Sequence, residues 1–392
     1  MKVIFWVSLF LLFYTYLGYG MLLFFLVKFK GKRKIPAPAP DSEVPKVTFL
    51  VAAYNESHWI KEKFRNSLEL DYPAEKLELL FVTDGSDDDT PDQLRALSQD
   101  TSIRVLVEHQ PERRGKIAAV HRVMPKVNSP IVIYSDANTL LNTQAIRNIV
   151  RHYQVPEVGA VAGEKRILQE EKEEASSSGE GFYWKYESQL KKWDAQLYSV
   201  VGAAGELFSI RTDLYENIPN DTIIEDFYLT LRIAQKGYRV QYEDQAYAME
   251  TASASVKEEL KRKIRIAAGG LQAIYRLAPL LNIFRYGWLS FQYISHRVLR
   301  WTLAPLALIT LFISNLALLS TGSLFYQITL AGQVLFYLAA LLGWLLEKRK
   351  LRSKALFIPY YFCIMNYAVY RGLFRILGGR QSVLWERAQR KV

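Results

Sequence analysis

The chain has 392 residues, with 50 Lys plus Arg against 39 Asp plus Glu and a formal net charge of +11. That length allows two or three structural units at ~150 residues each, and 23% charged with 13% aromatic residues excludes a disordered chain. The single cysteine, Cys363, excludes a disulfide framework and any cysteine-based zinc site, and the uncharged runs 3–27 and 301–346 exclude a simple soluble globule.

Residues 3–27 would make a helix of roughly 37 Å. That exceeds the ~30 Å hydrocarbon core, so the segment spans with some tilt. It is longer than the ~7–15-residue core of a signal peptide and lacks an A-x-A cleavage site, which makes it an anchor. Lys28, Lys30, Lys32, Arg33 and Lys34 follow at once and place that end in the cytoplasm by the positive-inside rule. Pro36, Pro38, Pro40 and Pro45 make 28–45 a stiff linker.

Residues 46–245 change character. Short β-branched runs at 47–53, 79–83, 103–107 and 131–134 read as buried strands, and amphipathic stretches at 58–69, 90–98, 116–124 and 143–153 read as helices. This alternation predicts a mostly parallel sheet with helices on both faces. Ligands in such sheets bind beyond the carboxyl ends of the strands. Residues 170–181 read as an acidic, Ser/Gly-rich loop.

The strand ends carry the chemistry. The first ends in Ala53-Tyr54-Asn55-Glu56, the second in Asp84-Gly85-Ser86-Asp87-Asp88-Asp89-Thr90 and the fourth in Ser135-Asp136-Ala137-Asn138-Thr139, with Arg114-Gly115-Lys116 between them. Singly, an Asp or Ser there is often only a helix cap. Together, carboxylates on one sheet edge with a cationic loop suit a nucleoside diphosphate and a hard divalent ion held by oxygen. Neither a P-loop nor G-x-G-x-x-G occurs, which argues against ATPase and dinucleotide enzymes. Further on, Gly202 and Gly205 bracket two alanines, a pattern for close backbone approach by a ligand or for a tight turn. Glu225-Asp226 opens a helix, where paired acids also complement the dipole.

Residues 246–300 read as an interfacial amphipathic region. Phe284, Trp288, Phe291 and Tyr293 mix there with Arg285, His296 and Arg297, and a core helix is the alternative. Residues 301–377 form a C-terminal membrane region: two spans with a turn near Ser320, then a third, aromatic-rich run at 355–370 that either crosses or is re-entrant. Residues 378–392 are a basic tail. Much of the net charge lies in these flanks, so it speaks for the membrane surface and its lipids, not for nucleic acid.

The order AYNE, DGSDDDT, RGK, SDAN, GAAGELFSIR and IIEDF, with flanking spans, resembles the membrane-bound inverting glycosyltransferases of family 2, which include cellulose, hyaluronan, chitin and poly-N-acetylglucosamine synthases. The resemblance implies a GT-A-like α/β fold with a Rossmann-like nucleotide half. It also implies a hexosyl- or N-acetylhexosaminyl-transferase in the bacterial-type inner membrane, with a cytoplasmic catalytic domain, using a nucleotide-sugar donor, best a UDP-sugar. The acceptor would be a glycan or lipid-linked, in cell-envelope or exopolysaccharide synthesis. Ala53, Tyr54 and Glu56 would line the nucleotide pocket. Asp84 would hold the uracil and ribose, supported by Ser86 and Asp88, and Lys116 would neutralise phosphate. Asp136 with Asn138 would hold Mg²⁺ or Mn²⁺, Asn138 replacing the family's second acid. Asp226 would be the general base, with Gly202, Gly205 and Glu225 on the acceptor side. The family's Q-x-x-R-W becomes Arg262-Lys263-Ile264-Arg265-Ile266, with Arg262 and Arg265 toward the donor phosphates, and loss of the Trp weakens the case for processive synthesis. A processive, extruding synthase, with an oligomer or other envelope-synthesis proteins completing its channel, is the neighbouring reading. A catalytically dead membrane scaffold is the reading of another class.

Overall fold

The computed structural model describes residues 1–31, 33–99, 101–168, 174–251, 256–348 and 353–379. The anchor is one helix, α1 (Lys2–Lys30), carrying a π turn at Tyr14–Gly18. The catalytic region then alternates β1 (Val47–Ala53), α2 (Ile60–Leu68), β2 (Leu77–Asp84), α3 (Thr90–Leu97), β3 (Arg104–Gln110), α4 (Lys116–Val123), β4 (Ile131–Asp136), β5 (Leu140–Leu141) and α5 (Ala145–Val150). It continues with β6 (Val158–Leu168), α6 (Glu174–Leu197), β7 (Leu207–Arg211), α7 (Glu225–Gln235), β8 (Arg239–Thr251) and α8 (Val256–Arg276). A helical stretch over 288–301, here α9, includes a π turn at Ile294–Val298. Last come α10 (Leu303–Leu318), α11 (Leu324–Lys348) and α12 (Lys354–Leu377).

The eight strands form one sheet in the order β3-β2-β1-β4-β7-β6-β8-β5. The half from β3 to β4 is parallel, as the alternation predicts. In the second half β7 runs antiparallel to both β4 and β6, so the whole sheet is mixed. In β1, Leu50 and Ala52 point into one core and Phe49, Val51 and Ala53 into the other. Both faces are covered, which is why the strand reads as a continuous apolar run. Apart from β3 the parallel strands are almost wholly buried, so their ends form the bottom of any cleft.

Two expected boundaries shift. β8 continues to Thr251, past the division at 245, because it pairs with β6 as far as Leu168. The loop expected over 170–181 is helical from Glu174 onward. Residues 169–173 and the tail 380–392 lie outside the described residues.

Among the described residues three helices are long and apolar enough to cross a membrane: Lys2–Lys30, Leu303–Thr321 and Leu324–Glu347. Gly322, left-handed at φ 66°, turns the chain between the last two, where the sequence predicts it. α12 is a single helix with Pro359 inside. It lies so close to α8 that a Cβ on Gly372 would sit 2.8 Å from the Ala268 amide nitrogen. The 284–300 stretch is two-sided. Phe284 is 99% exposed, whereas Tyr293 and His296 are fully buried.

Candidate active site

Asp84 ends β2 buried, and its Oδ2 accepts the backbone N–H groups of Arg114 (2.9 Å) and Gly115 (2.6 Å). It therefore shapes the loop that delivers Lys116. Its other oxygen is buried without a hydrogen bond and belongs to a narrow pocket shared with Ala53, Tyr54 and Lys116. Gly85 must be glycine here, since it sits at φ 66° and a Cβ would collide with Arg113. The Arg113 guanidinium stacks on Tyr54, 3.7 Å from the ring centroid.

Ser86 and Asp88 lie on the same rim but turn toward the protein. Ser86 Oγ accepts from the Asn55 amide (3.2 Å), and Asp88 accepts from the Ser57 and Thr90 amides (3.1 Å each). Asn55, the one described non-glycine residue at positive φ (53°), exchanges hydrogen bonds with Asp87. Glu56 donates its N–H to Thr90 Oγ1. The DGSDDDT loop and the AYNE loop thus clasp each other, and these acids hold the rim in place.

Lys116 opens α4 and reaches two carboxylates, Asp136 and Glu225, at 2.8 Å each. Burial disfavours its charge, but those two partners outweigh it and hold Lys116 cationic. Burial likewise opposes the charge of Glu225, and Lys116 overrides it, so Glu225 stays below the usual carboxylate range. Among the described residues no cation pairs with Asp226 in this way. Burial and the Glu225 charge push it up to about 7 against a weaker pull from Lys116. A Cβ on Gly205 would stand 3.5 Å from Asp226 Oδ2, so the 202–206 loop lies against this acid. Gly202, at φ 90°, makes its close approach to Phe227, whose ring a Cβ would strike; there the tight-turn reading holds.

Asp136 and Asn138 share the turn after β4, closed by Thr139 Oγ1 donating to the Asp136 carbonyl (2.9 Å). Among the described residues no cluster of three or more His, Cys, Asp or Glu is placed to hold a metal. The donors on offer, a carboxylate and an amide oxygen, fit Mg²⁺ or Mn²⁺ only if phosphate oxygens complete the shell.

Sequence reasoning missed Lys63. It is fully buried on α2 and donates to Ser135 Oγ (2.7 Å) and the Thr139 carbonyl (2.8 Å), bracing the Asp136 turn from behind. On an amphipathic helix it reads as one more surface charge, and only the register of α2 against β4 gives it away. Glu206 also went unnoticed. It pairs with Lys165 at 2.5 Å beneath the glycine loop.

Arg262 is bound to Glu259 within its own helix (2.9 Å), and Arg262 and Arg265 both line a cavity of about 540 Å³ that starts at Lys116, Asp136, Glu225 and Asp226. Trp301 lines it too, packed edge-on to Phe227 (5.3 Å between centroids) and onto Gly270. Two indoles thus line this cavity, Trp184 of α6 and Trp301 of α9, where the sequence has Ile266.

The sequence profile of the family described as Glycosyltransferase like family 2 matches residues 45–269, and the chain belongs to that family. It is 27% identical over 241 residues to poly-beta-1,6-N-acetyl-D-glucosamine synthase of Staphylococcus aureus (strain COL), covering 60% of this chain and 57% of that protein. It is 25% identical over 254 residues to the probable glycosyltransferase YdaM of Bacillus subtilis, covering 62% of this chain and 60% of that protein. The chain therefore matches under two thirds of the length of these curated relatives. Among solved structures, the mannosyltransferase PcManGT of Pyrobaculum calidifontis, in complex with GDP-Man and Mn²⁺, superposes with a TM-score of 0.72 at 22% identity. That match covers 96% of this chain and all of the other, so the two share a fold.

Proposed function

We propose that this glycosyltransferase is an inverting, membrane-bound enzyme. It moves a sugar from a nucleotide donor, best a UDP-sugar, to a glycan or lipid-linked acceptor in cell-envelope or exopolysaccharide synthesis. The observation that carries the reading is the meeting of Lys116, Asp136, Glu225 and Asp226 at the head of one cavity, with Asp226 pushed up to about 7. A general base works best with a pKa near the working pH.

In this reading Asp84 Oδ1 accepts a base or ribose donor beside Ala53 and Tyr54. Asp136 and Asn138 would hold a divalent ion, which would supply positive charge to the diphosphate. Lys116 turns from the two carboxylates toward the phosphate oxygens. Asp226 takes the proton of the acceptor hydroxyl, whose oxygen forms the new bond to the anomeric carbon. The bond from that carbon to the phosphate oxygen breaks, and the diphosphate leaves with the electron pair. One displacement inverts the centre.

The test is release of nucleoside diphosphate by the purified full chain from a panel of UDP-, GDP- and dTDP-sugars. Turnover should need Mn²⁺ or Mg²⁺ and stop in EDTA. Asp136→Ala should lose nucleotide-dependent metal binding while staying folded. Full turnover of that variant in chelator would sink the metal assignment, and no turnover with any donor would sink the enzyme reading.

A further inference from the structure

We propose that Arg113 gates the donor pocket: its guanidinium occupies the face of Tyr54 that the nucleobase takes, and the donor binds by displacing it. The inference rests on the nucleotide-donor reading above and adds how that site is opened.

The two halves of the site differ in room. The cavity that starts at Lys116 and Asp226 has about 540 Å³, whereas the pocket between Ala53, Tyr54, Asp84 and Arg113 has about 20 Å³. A single water needs ~10–15 Å³, so this pocket holds about one water and no base. What narrows it is a stack. The Arg113 guanidinium carbon lies 3.7 Å from the centroid of the Tyr54 ring. Carbon atoms in contact sit about 3.5–4.0 Å apart, so the slot against that face is filled. A guanidinium and a nucleobase are both planar and both stack on aromatic rings, so they compete for one surface.

The main chain under Arg113 is tied down. Asp84 Oδ2 accepts the Arg114 and Gly115 amides at 2.9 and 2.6 Å, and the Gly85 amide donates to the Gln110 carbonyl at 2.8 Å. The loop lies so close to the end of β2 that a Cβ on Gly85 would stand 2.7 Å from Arg113 Cα. Shifting the loop would break the bonds that hold Asp84, whose other oxygen the donor needs. The side chain carries the motion instead. Arg113 and Tyr54 are both partly exposed, and an arginine has many rotamers to move among.

Opening costs the stack, and a base repays that cost by taking the same face. Base stacks on aromatic rings are in general the stronger of the two contacts. A diphosphate alone brings no ring and cannot repay it. The gate thus ties opening of the pocket to the base rather than to the phosphates. It also fixes a sign. Removing a residue that holds the donor weakens binding, whereas removing one that stands in the donor's place tightens it, because the competent state no longer has to be selected.

The test is calorimetric titration of the full chain in phosphatidylcholine nanodiscs with Mn²⁺ present. The ligands are inorganic diphosphate and whichever of UDP, GDP and dTDP binds most tightly. Arg113→Ala should tighten the nucleotide about two- to fivefold, the ~0.5–1 kcal/mol of a partly exposed cation–π contact, and leave diphosphate unchanged. Arg113→Lys keeps the charge without the plane and should tighten it less. In a Tyr54→Leu background Arg113→Ala should bring no gain, since gate and guest have lost the same face. Should the Ala variant not fold, the smaller gain of Arg113→Lys carries the test. Weaker nucleotide binding by the Ala variant would make Arg113 a donor ligand. Unchanged binding would make the stack a surface contact, and equal tightening of diphosphate would place the effect away from the base. Each overturns the inference. Binding of no nucleotide by the unaltered chain would sink the nucleotide-donor reading too, whereas nucleotide binding without a gain in the variants would sink only this one.

Discussion

Asp226 and Glu225 are sequence neighbours with opposite electrostatics. Consecutive positions on a helix point about 100° apart, and here Glu225 takes Lys116 while Asp226 is left with burial and a like charge. Asp226→Asn keeps shape and removes the proton acceptor, so kcat should fall ~10²–10⁴-fold with little change in donor affinity. Steady-state kinetics beside Glu225→Gln checks this, and a more damaging Glu225→Gln would shift the base by one residue. Activity should rise with pH through about 7, because the base must lose its proton. The sign for stability is opposite. A carboxyl raised above its usual value holds a proton in the native state that the unfolded chain has released. Its stabilising contribution is therefore lost as pH rises from its ordinary 3.8 to about 7. Lys63, pushed down to about 7 by burial against the pull of Asp136, titrates in the same window. Lys63→Met separates the two. The inflection should survive, while the Asp136 turn loses its brace and the KM for metal-nucleotide rises about tenfold, for ~1–2 kcal/mol of lost bracing hydrogen bonds. If the inflection vanishes instead, Lys63 carried it.

At the scale of elements, what the sequence revealed follows local physics. β1, β2 and β4 announce themselves because both faces are buried, and the 301–346 run divides where Gly322 turns. The placing of Asp84 and Asp136 at one sheet edge was legible because their motifs sit directly after strands, whereas Glu225 and Asp226 open α7 well after β7 and stood out only through the order of motifs. What stayed hidden depends on distant partners. Trp301 reaches the cavity from α9 because Gly270 of α8 leaves room for its indole. Ser86 and Asp88 looked like donor ligands, yet backbone amides across the rim claim them. The embrace of α8 by α12 relies on Gly372 against Ala267 and Ala268, small residues that carry no chemical signature. That contact closes the cavity, so Gly372→Leu should lift α12 and lower acceptor-dependent transfer at least about tenfold, with UDP binding retained. Gly332→Leu in α11, where a Cβ would meet nothing within 4 Å, is the control. Calorimetric UDP binding beside transfer assays separates the outcomes, and equal loss of both would mean that α12 supports the whole domain.

Across the whole molecule, contacts between the apolar helices and the catalytic region bear on a topology that charge alone leaves open at α12. Phe5 of α1 packs with Leu318 and Tyr326, so the start of α1 and the turn after α10 share one side. At its other end α1 meets the catalytic region, where Lys30 and Arg33 donate to the Leu197 carbonyl. We propose from the positive-inside rule that the basic flank after α1 lies in the cytoplasm, and with it this second side. α10 and α11 then leave and return, and α12 starts on the cytoplasmic side. If α12 crossed, Arg371 and Arg375 would end outside. Its final turns instead press on α8, which follows directly from the catalytic sheet. We propose that both ends of α12 are cytoplasmic, because its last turns meet α8. Single cysteines in a Cys363→Ser background test this in intact cells with an impermeant maleimide. Ser320→Cys should label from outside, while Glu69→Cys and Gly378→Cys should label only after permeabilisation. External labelling at 378 would make α12 a fourth span and would overturn this topology.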